Sequence, residues 1–241
     1  MSSSSTPNRT GNLLLDRLPR KEYNNLVPHL ETISLVHEKE IYRQNSPLAH
    51  VYFPKDGVFS TVVLMENGER IEATPVGKEG MVGVSAILGL DFSPVTTALL
   101  VPGECLRLSA RFLLQAVKPG RELDRLLRRY AAYSLRNAEQ SIACNALHSV
   151  EERMCRWLLM SQDGAGKDEF RLTHELLAAM LGVRRQSVSV VAGTLQKAGF
   201  IAYRHGVMRV VDRAGLEAAS CECYGVTETL YDRIMKNPSP Q

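Results

Sequence analysis

The spacing of hydrophobic positions changes character along the chain. From about Leu13 to Leu108 the apolar residues come in short runs rich in β-branched and aromatic types, separated by turn chemistry, as in "HVYFPKDGVFSTVVLMENGERIEATPVGKEG". Val58 to Met65 is a β-rich run, and the Asn-Gly pair inside "ENGE" (Glu66 to Glu69) predicts a type I′ hairpin turn. This half reads as an antiparallel roll or barrel. Short helices over Leu13 to Leu30, interrupted near Pro19 and Pro28, are expected ahead of it.

Beyond Pro119-Gly120 the period becomes helical. No Pro or Gly occurs from Arg121 to Ala146, and Leu123, Leu126, Leu127, Tyr130, Tyr133, Asn137, Gln140, Cys144 and Leu147 recur at helical spacing. A helix of about 25 residues would run about 38 Å, and its stripe needs a cover. The stripe is apolar in its first half and more polar in its second, which predicts an imperfect coiled-coil seam with Leu123, Leu127, Tyr130 and Asn137 at a homodimer contact. The alternative is a stripe that packs only on the chain's own roll. A second helix, "HSVEERMCRWLLMSQD", gathers Val150, Met154, Trp157, Leu158 and Met160 near one face, and "GAGKDEF" follows as a loop.

The next pattern is a short helix that breaks and restarts. Thr173 caps "HELLAAML", whose apolar face is Leu176, Leu177, Met180 and Leu181, and Gly182 supplies a residue that tolerates positive φ where that helix ends. A second helix runs from Arg185 to Lys197 with Val188, Val191 and Leu195 inward, and Gln186, Val190, Gly193 and Lys197 on the far side with Ser189 at its edge. Arginines at the start and small or polar residues outside suit an external partner. That is the helix-turn-helix plan, whose second helix enters the DNA major groove by its N-terminal end.

Position then suggests roles. Arg185 suits guanine O6 and N7, Gln186 suits adenine, Ser189 either edge and Val190 the thymine methyl, with Ser187 in the same turn. Arg184, Lys197 and Thr173 are placed for phosphates. Ile201 to Tyr203 and Val207 to Val211 read as strands around "RHG", a wing whose tip carries Arg204 and His205 toward the DNA backbone.

Composition narrows the alternatives. A chain of 241 residues with 44% hydrophobic residues is long enough for two domains. The net charge of +3 is modest, yet Arg171 to Arg213 holds seven Lys/Arg against two Asp/Glu, so the basic excess lies in the helix-turn-helix segment. "MSSSSTPNRTGN" has no apolar leader core, no run is long and apolar enough to span a membrane, and a cytoplasmic chain is expected. Five cysteines (Cys105, Cys144, Cys155, Cys221, Cys223) lack the paired spacing of a disulfide framework. Cys221 and Cys223, read as lying in one helix, would point about 200° apart and not share a metal. The six histidines show no ligand spacing, and "VGKEGMVG" lacks the Gly-Lys-Ser/Thr ending of a phosphate loop. No metal, cofactor or catalytic constellation is predicted, so an enzyme is not expected.

Roll, long helix, helix-turn-helix and wing in that order resemble the CRP/FNR family of bacterial transcription regulators along nearly the whole chain. The most specific matching text is "LTHELLAAMLGVRRQSVSVVAGTLQKAGFI", with "DRAGLEAA" after the wing. The resemblance implies an α+β chain: residues 1–12 a disordered tail, 13–118 a cyclic-nucleotide-binding-like, jelly-roll-like β-roll, 119–147 a dimerisation helix, 148–219 a winged helix-turn-helix, and 220–241 a C-terminal helix and tail. It implies a homodimer on near-palindromic double-stranded DNA with half-sites about one helical turn apart. RNA polymerase is a further implied partner, a membrane is not, and any small-molecule effector is unidentified. Many members have an acidic residue where Gln186 stands and an arginine where Val190 stands, so their half-site does not carry over. No arginine lies between Arg70 and Arg107 to neutralise a buried phosphate, and no cysteine precedes Cys105, unlike the family's iron–sulfur oxygen sensors. The competing reading is a roll that regulates a protein partner, with the C-terminal half as a docking module.

Overall fold

The computed structural model describes residues 10–36 and 40–236. Residues 1–9, most of the expected tail, and residues 237–241 at the other end lie outside the described residues. The last part of the expected N-terminal tail is instead a structural anchor. Asn12 is buried, its amide donates to the Pro54 and Gly80 carbonyls at 2.8 and 2.9 Å, and its Oδ1 accepts from the Leu15 amide. A polar N-terminal composition does not reveal such partners, because they lie 42 and 68 residues away.

Helix α1 (Arg20–Leu26) leads into seven strands: β1 (Glu31–Leu35), β2 (Glu40–Tyr42), β3 (His50–Pro54), β4 (Val58–Leu64), β5 (Arg70–Val76), β6 (Thr96–Val101) and β7 (Gly103–Ser109). They form two antiparallel sheets, ordered β1-β7-β3 and β2-β6-β4-β5. Phe53, Phe59, Leu99 and Leu108 belong to the roll's core, with Leu14 and Leu26 from the N-terminal segment. The β4–β5 hairpin does not use a type I′ turn. Gly68 alone of the Asn-Gly pair has positive φ, its amide bonds to the Met65 carbonyl, and the Asn67 side chain accepts from the Glu69 amide. That Asn67 bond holds a type I turn in which Gly68 takes the left-handed place.

Helix α2 (Ala110–Ala116) is followed by the long α3 (Glu122–Leu147). Arg121 offers α3 no side-chain cap, so the Glu22 carboxylate of α1 accepts from the Glu122 and Leu123 amides at 3.2 and 2.8 Å. The stripe predicted as a dimer seam is covered by the chain itself. Leu123, Leu127 and Tyr130 join the roll's core, Tyr130 Oη donates to the Met81 carbonyl at 3.1 Å, and Asn137 is buried farther along. A second line on α3, Ala132, Leu135, Glu139, Ile142 and Ala146, faces outward at alternating three- and four-residue spacing, with Leu135 65% and Ile142 70% exposed. The more apolar stripe folded onto the nearest surface of its own chain and left the weaker one free.

The C-terminal half comprises α4 (Val150–Ala165), β8 (Glu169–Arg171), α5 (His174–Leu181), α6 (Arg185–Lys197), β9 (Ile201–Arg204), β10 (Val207–Val210), α7 (Arg213–Ala219) and α8 (Cys223–Met235). A capping box of Ser149 and Glu152 starts α4. Part of the expected "GAGKDEF" loop is β8, which pairs with β10 and buries Phe170. Three residues are too few for a period to show. Cys221 lies in the turn before α8 rather than inside a helix, so Cys221 and Cys223 converge instead of diverging.

The two halves share a surface. Val58, Val62, Leu100 and Val101 of the roll belong to the same cluster as Met154, Leu158, Leu177 and Leu181. Trp157 Nε1 donates to Glu72 at 2.6 Å across this surface. The chain packs Gly77 against Gly164 so closely that a Cβ on Gly77 would lie 2.3 Å from the Gly164 Cα. Among the described residues no helix is long and apolar enough to cross a membrane.

Candidate nucleic-acid interface

Local chemistry sets the angle between α5 and α6. The Thr173 hydroxyl accepts from the Leu176 amide at 3.1 Å and starts α5. Gly182, at φ 63°, ends it: Val183 bonds to the Ala178 carbonyl and Gly182 to the Ala179 carbonyl, a Schellman closure. Gly182 is also where the roll comes close, since a Cβ there would meet Ile71 Cδ1 at 2.8 Å. Helix α6 then buries Val188, Ala192 and Leu195, with Val191 half-buried at the edge of the predicted inner face.

The opposite side of α6 is open. Arg184, Arg185, Gln186, Ser189, Val190 and Lys197 are exposed, Val190 to 70%, while Ser187 is half-buried. Gly193 would meet nothing within 4 Å if it carried a Cβ, so none of the described residues covers this face there. Arg185 Nε pairs with Glu175 Oε1 of α5 at 2.5 Å, both side chains more than half exposed. Such an exposed pair is worth about 0.2–1 kcal/mol, so it orients the guanidinium without withholding it from a partner.

The wing stands beside this face. Strands β8, β10 and β9 form a sheet in that order, and the β9–β10 turn has His205 at φ 51° and Gly206 at φ 77°. Two successive positive φ values make this a type I′ turn. Arg204 and His205 are exposed at its tip, Thr173 lies beside Gly206 of the same turn, and the Leu172 amide donates to the Gly206 carbonyl at 2.8 Å.

Three residues that sequence reasoning did not single out, His174, Tyr203 and Gln196, join wing and helix. His174 stacks on Tyr203 with ring centroids 4.3 Å apart, and its Nδ1 lies 3.0 Å from Ser189 Oγ. Gln196 Oε1 accepts from the Tyr203 amide at 2.8 Å. Burial, and then Arg185, hold the His174 imidazole below its ordinary pKa, which favours the neutral ring. Position after a capping threonine was the one available signal for His174, and it says nothing of Tyr203.

Inside the roll, Tyr42, Phe59, Met81 and Tyr130 share a core with the 3₁₀ turn Val84–Leu88. The stretch between Arg70 and Arg107 adds no guanidinium to that interior.

A model of the Crp-like helix-turn-helix domain matches residues 152–219, and one of the cyclic nucleotide-binding domain matches residues 33–119. Transcriptional regulator SdrP of Thermus thermophilus is 30% identical over 180 residues, 71% of this chain and 84% of that protein. FixK2 from Bradyrhizobium japonicum has a similar fold, with a TM-score of 0.67 at 18% identity over 80% of this chain and 98% of its own. A CRP/FNR-family transcriptional regulator of Thermus thermophilus gives a TM-score of 0.63 at 23% identity, covering 79% of this chain and 98% of that one.

Proposed function

The chain belongs to the CRP/FNR family of DNA-binding transcription regulators, and we propose that it reads a near-palindromic site as a homodimer through two copies of α6. The observation that carries this reading is the uncovered face of α6, which sets Arg185, Gln186, Ser189 and Val190 outward beside the wing. Arg185 exchanges Glu175 for a guanine edge, Gln186 takes adenine and Val190 meets a thymine methyl. Thr173, Arg184, Lys197, Arg204 and His205 hold phosphates, and Ser187 supports the first turn of α6. The dimer seam in this reading is the outward line Ala132, Leu135, Glu139, Ile142 and Ala146, which has the spacing of coiled-coil core positions.

In this reading residues 13–118 form a regulatory roll, 119–147 the dimer helix and 148–219 the DNA-binding unit, with RNA polymerase as the partner through which bound DNA is acted on. Since the roll lacks an arginine between Arg70 and Arg107, a ligand there would be one that brings no buried phosphate.

The test is selection of genomic DNA fragments by the purified chain near physiological salt, followed by sequencing. An enriched inverted repeat is expected. Arg185→Ala should cost about 1–3 kcal/mol and relax preference at one base pair per half-site, whereas Lys197→Ala should weaken all sequences alike. Unchanged specific binding in both variants would refute the groove assignment.

A further inference from the structure

Away from the DNA-facing side, four donor side chains meet where α3 gives way to α4. Cys144 sits in the last turn of α3, His148 directly follows that helix, Cys221 lies in the turn before α8, and Cys223 opens α8. Their ligand atoms all lie within 4.8 Å of one another, and the three cysteines are buried. None of them is in a disulfide.

The separations have a recognisable geometry. Cys144 Sγ and Cys221 Sγ are 3.5 Å apart, and Cys223 Sγ and His148 Nδ1 are 3.6 Å apart. A tetrahedral zinc ion with Zn–S of about 2.3 Å and Zn–N of about 2.0–2.1 Å would set S···S edges near ~3.8 Å and S···N edges near ~3.6 Å. These two edges are already close to those of a filled coordination sphere, and the remaining ones stay within 4.8 Å.

Its surroundings match as well. His148 Nε2 lies 3.1 Å from Glu222 Oε2, which leaves Nδ1 on the side of the Cys223 sulfur. A carboxylate on the far nitrogen is the common way to fix the tautomer and orientation of a metal-bound histidine. Gln140 Nε2 donates to Cys223 Sγ at 3.0 Å, so that sulfur already has a polar neighbour. Arg156 is only 8% exposed and forms no ion pair within 4.0 Å among the described residues; burial pushes the Cys144 thiol up, and this guanidinium opposes the rise. Three thiolates around a divalent cation carry one net negative charge, which this guanidinium offsets. Cysteines that merely packed as small apolar residues would need neither the Glu222–His148 pair nor the Gln140 donor.

We propose that Cys144, His148, Cys221 and Cys223 form a closed Cys₃His site for Zn²⁺ that staples the start of α8 to the junction of α3 and α4. Three thiolates and an imidazole are donors suited to zinc, and four protein ligands leave no open position, so the role is structural. The staple lies where the long helix passes into the DNA-binding half. Holding that junction fixes the angle at which α4, and the helices packed on it, leave α3.

The experiment uses the full chain, purified reduced and without chelator. One zinc per chain is expected by elemental analysis. Exchange for Co²⁺ should produce the intense visible bands of a tetrahedral cobalt ion together with thiolate-to-cobalt charge transfer. Cys221→Ser and Cys223→Ser should weaken the charge-transfer band, while Cys105→Ala, at a buried cysteine on β7, should leave it intact. Glu222→Ala should keep the stoichiometry and lower zinc affinity about 10- to 100-fold, as expected for loss of an outer partner. The proposal is overturned if the reduced wild-type chain, folded by circular dichroism, takes up neither Zn²⁺ nor Co²⁺. Stoichiometric iron with sulfide in place of zinc, or a cobalt spectrum indifferent to Cys221→Ser, would overturn it too.

Discussion

Replacing Glu72 by Gln isolates the electrostatics of the surface where the roll meets the DNA-binding half. Glu72 on β5 is 6% exposed, accepts from Trp157 Nε1 at 2.6 Å, and its Oε2 has no hydrogen-bond partner among the described residues. Around it stand Ser60 of β4, Trp157 and Arg156 of α4, and a small cavity also lined by Arg153 and Met180. Burial pushes the carboxyl up from 4.5 to about 7, against the opposing pull of Ser60, Trp157 and Arg156. A folded-state value above the unfolded one means that the folded chain binds this proton more tightly. The stabilisation is therefore complete below the unfolded pKa and is lost as pH rises through the folded one. The difference from 4.5 to about 7, at ~1.36 kcal/mol per unit, makes this loss on the order of 3 kcal/mol. Glutamine keeps an oxygen for the indole, places an amide where the protonated Oε2 would be, and cannot ionise. Wild type and Glu72→Gln should thus be nearly equal in stability at about pH 4, and the variant should be more stable by on the order of 3 kcal/mol at about pH 8. Trp157 is the only tryptophan, so its fluorescence during urea unfolding reports on this surface directly. A gap between the two proteins that stays constant from about pH 4 to about pH 8, or one that favours wild type as pH rises, would refute the reasoning.

Three further variants bear on the fold and the seam. Leu135→Glu, on the outward line of α3, should yield monomers by light scattering with weak site binding and an unchanged melting temperature, whereas Leu127→Glu should unfold the roll because it drives a charge into the core. Monomers of normal stability from Leu127→Glu would reinstate the first seam. Asn12→Ala should lower stability by about 1–3 kcal/mol in chemical denaturation, because it strands the buried Pro54 and Gly80 carbonyls. An unaffected midpoint would show that the first described segment is not an anchor.

Much of the DNA-facing unit was legible because its determinants are local. The bounds of α6 follow from Gly182, the restart behind Arg184 and the inward period of Val188 and Leu195, all within a few turns of one another. The wing's turn was legible for the same reason, as "RHG" places a glycine where a positive φ is needed. The β4–β5 turn misled because the Asn67 side chain bonds to its own loop and moves the left-handed position to Gly68 alone. Likewise β8 is strand only because β10 lies beside it.

By itself, then, the order of amino acids determined the bounds of α5 and α6, the local ends of α5 and the outward character of α6, since each depends on residues one to four positions apart, whereas the start of α3 waits for Glu22 about 100 residues away. The tertiary structure decided which stripe of α3 remains free, where Asn12 finds its two carbonyls, and whether cysteines 77 residues apart share a centre. Periodicity states that a face must be covered but not by what, because the cover is set by which surfaces the chain's own packing has already taken.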